Sequence, residues 1–430
     1  MSSPPPTARM SHISYLTNTI SNNTAKVDSY LQLHSLPQPS FAVDAPTRLL
    51  PSNANAPDIE EARTKAIEAS IELQQLLQGP RSLLTPSMNM APLHAIVHFS
   101  LATLIPLDTT MSFTDLAILV PLYEHDIRRI IRYAIAHHRV FCEPRPGFVA
   151  HSAASRVLAE SSGIRDALGM LFDESWPAFA KTVEALSRFP KSEEPNASGF
   201  AVANNTSLPM YSFLAQDHTR AKRFAGTMSM ASPESLAFLS SAPIWQTLRA
   251  TATVVDVGGS RGHVSAFLAQ SFPNIHFIVQ DLPSTTVDAE PALSYVLPED
   301  MKERVRVMEH DFFEPQPVQG ADVYLFRFVF HNWSDGYCVK ILRALLPAMR
   351  SGVKIVVNDH CMPEAGALGL LRERRIRSMD MIMLALHNSR EREEEEWIAL
   401  FAEADPRFRF QSARVMEGNV AAVLIFEWKE

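Results

Sequence analysis

The segment Val254-Val255-Asp256-Val257-Gly258-Gly259-Ser260-Arg261-Gly262 limits the possible folds of this chain more than any other. A β-branched run closes on an aspartate, two glycines turn the chain sharply, and Val264 to Leu268 begin a helix. A strand that passes through a glycine-rich turn into a helix belongs to open α/β sheets, which bind nucleoside ligands in the crevice beyond their strand ends. Glycine is needed there because a Cβ would block either the turn or the ligand. The dinucleotide fingerprint G-x-G-x-x-G, however, wants a glycine where Ser260 stands. A nucleoside without phosphates, with an acidic residue near its amino group, fits better than a pyrophosphate.

From about residue 250 the pattern alternates between strands and helices. Strands are expected at Thr253–Val257, His276–Gln280, Val305–Glu309, Asp322–Phe328 and Lys354–Asn358, with a helix over Cys338 to Met349. This alternation predicts a doubly wound, mostly parallel sheet. Phe408–Met416 and Val420–Trp428, joined through Glu417-Gly418-Asn419, read as a terminal hairpin, so one late strand should run antiparallel.

The N-terminal half reads differently. Residues 1–55 are polar, with Ile13, Leu16 and Ile20 at helical spacing, and suggest an arm that packs on something else, such as a second subunit. Glu60 to Leu77 is an amphipathic helix that stops before Gly79-Pro80, and Ala91 to Leu107 reads as a buried helix. Phe113 to Leu119 and Tyr123 to His138 form a helix pair, and the apolar runs on either side of Pro144-Arg145-Pro146 form a two-stranded wing. Helix, turn, helix, wing is a winged-helix order. Arg128, Arg129, Arg132 and Arg139 on the second helix either face a phosphate backbone or form a solvated face, and an acidic chain favours the second. Three regions are expected: an arm over 1–55, a winged-helix-like dimerisation domain over 56–195 and an α/β domain over 196–430.

At 430 residues two domains are the natural expectation. A chain with 46% hydrophobic and 20% charged residues is globular, and a formal charge of −8 argues against a general nucleic-acid binder. Cys142, Cys338 and Cys361 have no paired spacing, so neither a disulfide framework nor a zinc site is expected. The start Met1-Ser2-Ser3-Pro4-Pro5-Pro6 carries no signal pattern, and His94, His98 and Pro106 interrupt the most apolar stretch, so a cytoplasmic protein without a membrane span is expected.

Functional residues of such a sheet sit at the carboxyl ends of its strands. Those ends present Asp256, Asp281, Asp311 with Phe312, Arg327 with His331, and Asp359. Asp281 could take both ribose hydroxyls or simply cap a turn before Leu282-Pro283. Asp311 could reach an adenine amino group, and Phe312 could stack on the ring or sit in the core. His331 can accept a proton from an acidic hydroxyl at neutral pH, and Asp359 or Glu391 could hold its ring. A carboxylate behind a histidine fixes its tautomer and favours the imidazolium that forms.

Taken together, these residues resemble the plant-type, class I S-adenosylmethionine-dependent O-methyltransferases, most closely the fungal members that methylate phenolic polyketides. The likeness covers a winged-helix dimerisation region from about 60 to 160 and a catalytic domain from about 200 onward. It implies a homodimer with S-adenosylmethionine as cofactor, a small aromatic substrate and no metal. Gly258 and Gly259 would approach the cofactor, Asp281 would hold its ribose, and Asp311 and Phe312 would meet the adenine. Arg327 stands where many relatives have lysine. His331 matches the general base, flanked by Asp359 and Glu391, and Met228 and Ser232 match a ligand-facing segment. Asn332 replaces a common aspartate, and Asp359 is shorter than the usual glutamate. An apolar acceptor pocket is expected from Met228, Met230, Phe328, Met383 and His387. Two rival readings remain: a non-methylating cyclase on the same fold, and a DNA-binding regulator.

Overall fold

The computed structural model describes residues 10–51, 54, 56–85, 89–228, 233–416 and 421–430. The chain divides into two compact units. One runs to Gly169 and takes in Gly369–Leu371; the other comprises Met170–Leu368 and Arg372–Glu430. The division falls well before residue 195. Helix Trp176–Arg188 lies so close to helix Gly199–Ala203 that a Cβ on Gly199 would sit 2.3 Å from the carbonyl oxygen of Ala178, which ties residues 176–195 to the second unit.

In the first unit the expected arm is a helix, His12–Leu33, capped by Ser11, whose side chain accepts the N–H of Ser14 at 3.2 Å. It packs on its own chain: Leu31, Leu50, Ala56 and Ile59 share a buried cluster at the start of helix Pro57–Gln78. Ala62, Ala66 and Ala69 are buried along the latter, and such small side chains let a neighbouring backbone approach closely. Ala91 to Leu107 is not one helix. It breaks after Ala91–His98, where Ser100 takes φ 54°, and resumes for the single turn Leu101–Leu104.

Helices Phe113–Leu119 and Glu124–His138 form as expected, with Ile127, Ile131 and Ala134 fully buried on one face of the second. Cys142–Arg145 and Phe148–Ala150 pair antiparallel, and Met111–Ser112 adds a third strand. The arginines of the second helix are answered within the chain. Arg128 pairs with Glu124, Arg129 with Asp126 at 2.7 Å and Arg132 with Glu143 at 2.8 Å, while Arg139 lies 5.3 Å from the Phe41 ring.

The second unit is built on one sheet. Its strands are β1 (Thr253–Val257), β2 (His276–Asp281), β3 (Val305–Glu309), β4 (Val323–Arg327), β5 (Lys354–Met362), β6 (Phe408–Val415) and β7 (Ala421–Trp428). Their order is β6-β7-β5-β4-β1-β2-β3. β1 to β5 pair in parallel, whereas β7 runs antiparallel to both of its neighbours. The doubly wound, mostly parallel sheet is therefore present, with the late strand β7 antiparallel as expected and set between β6 and β5. The turn expected at Glu417-Gly418-Asn419 lies outside the described residues.

Continuous apolar runs such as those of β1 and β4 suit strands buried on both faces. Val255, Tyr324, Phe326 and Val357 enter one core, with Trp397 and Phe401. Val254, Val323, Leu325 and Val356 enter the other, with Leu268 and Phe277. β5 extends past Asn358, its expected end. His360 pairs with Ala421 of β7, and Cys361 and Met362 pair with the short strand Arg392–Glu393. That pairing places Asp359 and His360 within a buried strand and brings residues near Arg392 beside them.

Candidate active site

The turn after β1 is held from behind. Gly258 and Gly259 both donate their N–H to Gln280 O, at 2.8 and 3.0 Å, and Ser260 N–H donates to Asp281 Oδ2 at 2.9 Å. Three successive loop amides are thus spent on β2, and none of them is left for a phosphate. Gly258 has φ +72°, a conformation that favours glycine. At Gly259 the reason is space: a Cβ would lie 2.7 Å from the carboxyl carbon of Asp256 and 2.9 Å from Val279. Asp256 itself is buried and accepts the Ser265 hydroxyl at 2.6 Å. Burial pushes its carboxyl up to about 6, against the opposing pull of Ser265 and Arg327.

Asp281 ends β2 beside this turn. Its Oδ1 accepts Leu282 N–H at 2.8 Å, so the carboxylate both braces the loop and stands at the strand end. Burial raises its pKa, although the loop N–H groups hold it back. Phe312 stands across the turn from Gly258 and packs edge-on against Phe313 and Trp333. Asp311 is exposed, and its Oδ1 accepts the N–H of Phe313 at 3.0 Å, which shapes its own turn. Arg327 closes the end of β4. Its guanidinium bonds the Asn358 side chain and Ser235 Oγ and lies 4.7 Å from the Phe328 ring. Burial pushes it down to about 10.

His331 follows β4 in a single 3-10 turn, Phe330–Asn332. Asn332 donates its amide to Phe328 O at 2.8 Å, so it closes the turn in place of the missing charge. Phe328 has φ 51°, and its ring flanks both His331 and His360, at 5.5 and 5.2 Å between centroids. His331 Nδ1 lies 3.0 Å from Glu391 Oε1 and 3.4 Å from Asp359 Oδ1. The first is its hydrogen bond. Asp359, the shorter acid, serves chiefly the backbone: Oδ2 accepts His331 N–H at 3.2 Å, and Oδ1 accepts His360 N–H at 2.9 Å. Ser389 Oγ donates to His331 O at 2.5 Å.

Burial by itself would lower the His331 pKa, but the charge of Asp359 and the bond and charge of Glu391 outweigh it, and the net shift is upward. Burial likewise pushes the Glu391 carboxyl up, and hydrogen bonds from His331 and His360 overcome that and hold it low. Asp359 is raised by burial. His331, Asp359, His360 and Glu391 place four possible ligand atoms within 4.8 Å of one another, the one such group among the described residues. Hydrogen bonds within the set account for its close spacing: both Nδ1 atoms are on Glu391 Oε1, at 3.0 and 2.9 Å.

On the acceptor side, Met383 and His387 are buried one turn apart on helix Leu370–His387. Burial, then the nearby His331 charge, push His387 down to about 3, so its ring is neutral. Tyr211 stacks on it at 5.1 Å. Phe328 is half-buried beside His331, whereas Met228 is 48% exposed at the end of helix His218–Met228. Met230 and Ser232 lie outside the described residues. Sequence reasoning missed His360 and Tyr211. His360 had a signal, an imidazole next to Asp359 in the strand that carries the acid. Tyr211 had none, since the helix Met210–Leu214 is too short to show a period.

Residues 192–406 match the family model of the O-methyltransferase domain. An O-methyltransferase of the grayanic acid biosynthesis cluster of Cladonia grayi is 43% identical, over 98% of this chain and 88% of that protein. The chain belongs to the O-methyltransferase family. The chlorophenol O-methyltransferase of Trichoderma longibrachiatum is 37% identical to this O-methyltransferase, over 96% of its chain and 90% of the relative. Among solved structures, OxaC in complex with SAH and oxaline superposes with a TM-score of 0.75 at 19% identity, covering 96% of this chain and 100% of that one. LepI in complex with SAM gives 0.72 at 23%, with the same coverage. At these identities the two structures bear on the fold.

As a member of this family the enzyme is an S-adenosylmethionine-dependent O-methyltransferase. Its own residues fit the cofactor. The left-handed turn at Gly258 with no Cβ, the carboxylate of Asp281 at the strand end and the three amides of residues 258 to 260 already bonded to β2 suit a ribose and a cation better than a phosphate chain.

Proposed function

We propose that this enzyme methylates a phenolic hydroxyl of a small aromatic secondary metabolite, with His331 as general base. The observation that carries the reading is the 3.0 Å bond from His331 Nδ1 to Glu391. A carboxylate on Nδ1 keeps the proton there and leaves the Nε2 lone pair to receive one from the acceptor. The relatives' names support it, with a grayanic acid biosynthesis cluster in one case and chlorophenol in another.

S-adenosylmethionine, when bound, supplies a methyl group already activated on a sulfonium. Gly258, Gly259, Asp281, Asp311, Phe312 and Arg327 form the side that would hold it. The chain's contribution to the reaction is then orientation and proton removal. Phe328, Met383, His387 and Met228 supply a mainly apolar wall on the acceptor side, and Tyr211 stacks behind His387. The neutral His387 adds no second cation to a site that must accept a proton at His331.

Activity should depend on pH in a definite direction. The folded-state pKa of His331 is raised, so the base form accumulates only above a value higher than the ordinary 6.5. The rate on a chlorophenol at subsaturating concentration should therefore climb with pH through that value. Mass spectrometry should show a product heavier by one methyl group, together with demethylated cofactor. A changed skeleton without added methyl would favour the cyclase reading, and transfer to aliphatic alcohols alone would reject the phenol.

We also propose that the enzyme is a cytoplasmic homodimer assembled through a winged-helix-like N-terminal unit. Helices and turns of that unit leave large apolar side chains exposed, Leu33 at 80%, Leu77 at 68% and Leu84 at 83%. Isolated exposed leucines are ordinary, but a set this exposed within one unit suits burial by a second copy. The cysteines are free, which suits a reducing compartment, and among the described residues no helix is long and apolar enough to cross a membrane. Sedimentation equilibrium should give twice the chain mass, and a monomer at all concentrations would reject the dimer.

A further inference from the structure

Glu391 serves two imidazoles through one oxygen. Oε1 lies 3.0 Å from His331 Nδ1 and 2.9 Å from His360 Nδ1, while Oε2 is buried with no hydrogen-bond partner among the described residues. Both nitrogens must be donors, because the group between them is a carboxylate held in its charged form by those same bonds. The two rings are nearly equivalent in placement. Their side chains are 10% and 11% exposed, their centroids are 5.7 Å apart, and each flanks Phe328. Asp359 fixes both from behind through their backbone N–H groups. Trp397 Nε1 donates to His360 O at 3.3 Å and holds the second residue in β5.

We propose that His360 is a positioning residue that tunes His331, by donating to the same Glu391 oxygen and so making His331 a weaker base than Glu391 alone would make it. The proposal rests on the reading of His331 as the general base only for its effect on rate. The physical argument is linkage. When His331 is neutral, Glu391 carries an uncompensated charge and the bond from His360 is at its strongest. When His331 is protonated, the imidazolium takes up that charge and the same bond weakens. The His360 bond thus stabilises neutral His331 more than the protonated form, and its loss must raise the His331 pKa. Other ionisable groups near the pair are Asp359, Arg392, His387, Tyr211 and Arg327, with Asp380 behind Glu391, where it accepts the Glu391 N–H at 2.9 Å. Of these, Asp359 also feels His360, through the backbone N–H it accepts at 2.9 Å, which both variants below keep, and through the His360 charge.

The test compares His360→Leu, which removes the donor, with His360→Asn, whose side-chain amide keeps one at a similar reach. Histidine ring NMR, with the His331 signal assigned by its loss in His331→Ala, should show the His331 titration moving up by about half a unit to one unit in His360→Leu. It should return towards the wild-type value in His360→Asn. The acid limb of kcat/KM should move with the NMR value. An unmoved or lowered His331 titration in His360→Leu, with S-adenosylhomocysteine affinity intact, would overturn the proposal, and so would equal shifts in both variants. A ring titration that moves while the kinetic limb does not would uphold the tuning and reject His331 as the base.

Discussion

His331→Ala is expected to slow methyl transfer to a phenol by roughly 10²–10⁴-fold, the usual contribution of a positioned base. Affinity for S-adenosylhomocysteine, measured by calorimetry, should stay near that of the native enzyme, because His331 bonds Glu391 and Asp359 and none of the residues around the Gly258 turn. The imidazole is also a buried partner of a buried carboxylate, so its removal leaves Glu391 with His360 alone. A modest fall in melting temperature is therefore compatible with the proposed role. Alkaline pH should partly rescue the variant, since a phenol with a pKa near 10 ionises without help. Loss of cofactor affinity together with activity would make His331 a structural residue, and an unimpaired rate would leave orientation as the whole of catalysis.

Asp281→Ala should have the opposite signature: cofactor affinity lost, the acceptor side intact. A charge-assisted bond is worth about 1.5–3 kcal/mol, so two ribose hydroxyls on one carboxylate put the loss at about 10²-fold or more. Part of the loss has a second origin. Asp281 accepts the N–H groups of Ser260 and Leu282, and the alanine variant releases both. Asp281→Asn separates the two effects, because its amide oxygen can still accept a loop N–H but brings no charge. If the asparagine variant binds S-adenosylhomocysteine as well as the native enzyme does, the charge on Asp281 plays no part in binding.

The sheet was readable because its strands are β-branched runs bounded by turn residues. β1 and β3 match their expected limits, and the others differ by a few residues at one or both ends. β5 was underestimated because its last four residues, Asp359 to Met362, include two polar side chains, and pairing with β7 and Arg392–Glu393 outweighs local composition there. The break at Ser100 within an apolar run was not visible either. A hydrophobic period does not report a left-handed residue that any serine is able to adopt at some cost. In the site, His331 and Asp281 stood out because strand ends can be counted along the sequence. Glu391 opens a run of charges that is a solvated helix start by default, and it stood out only as a carboxylate that could hold the His331 ring. His360 had its place next to Asp359 as a signal, whereas Tyr211 depends on which elements meet in space, and no local pattern encodes that.

The spent amides of the Gly258 turn bear on how the enzyme works inside a cell. ATP and the dinucleotides share the adenosine half of S-adenosylmethionine and are abundant competitors for any pocket that recognises it. A loop with free N–H groups would welcome them, since phosphate oxygens are what such groups bind best. Here Gln280 and Asp281 have already taken those donors, and the carboxylates of Asp256 and Asp281 stand behind the turn. At this turn a polyphosphate would find three amides already bonded and two carboxylates behind them, while a sulfonium would meet a favourable field. With the cofactor held at this turn as proposed, selectivity for the methyl donor over the nucleotide pool would come from donors withheld as much as from contacts offered.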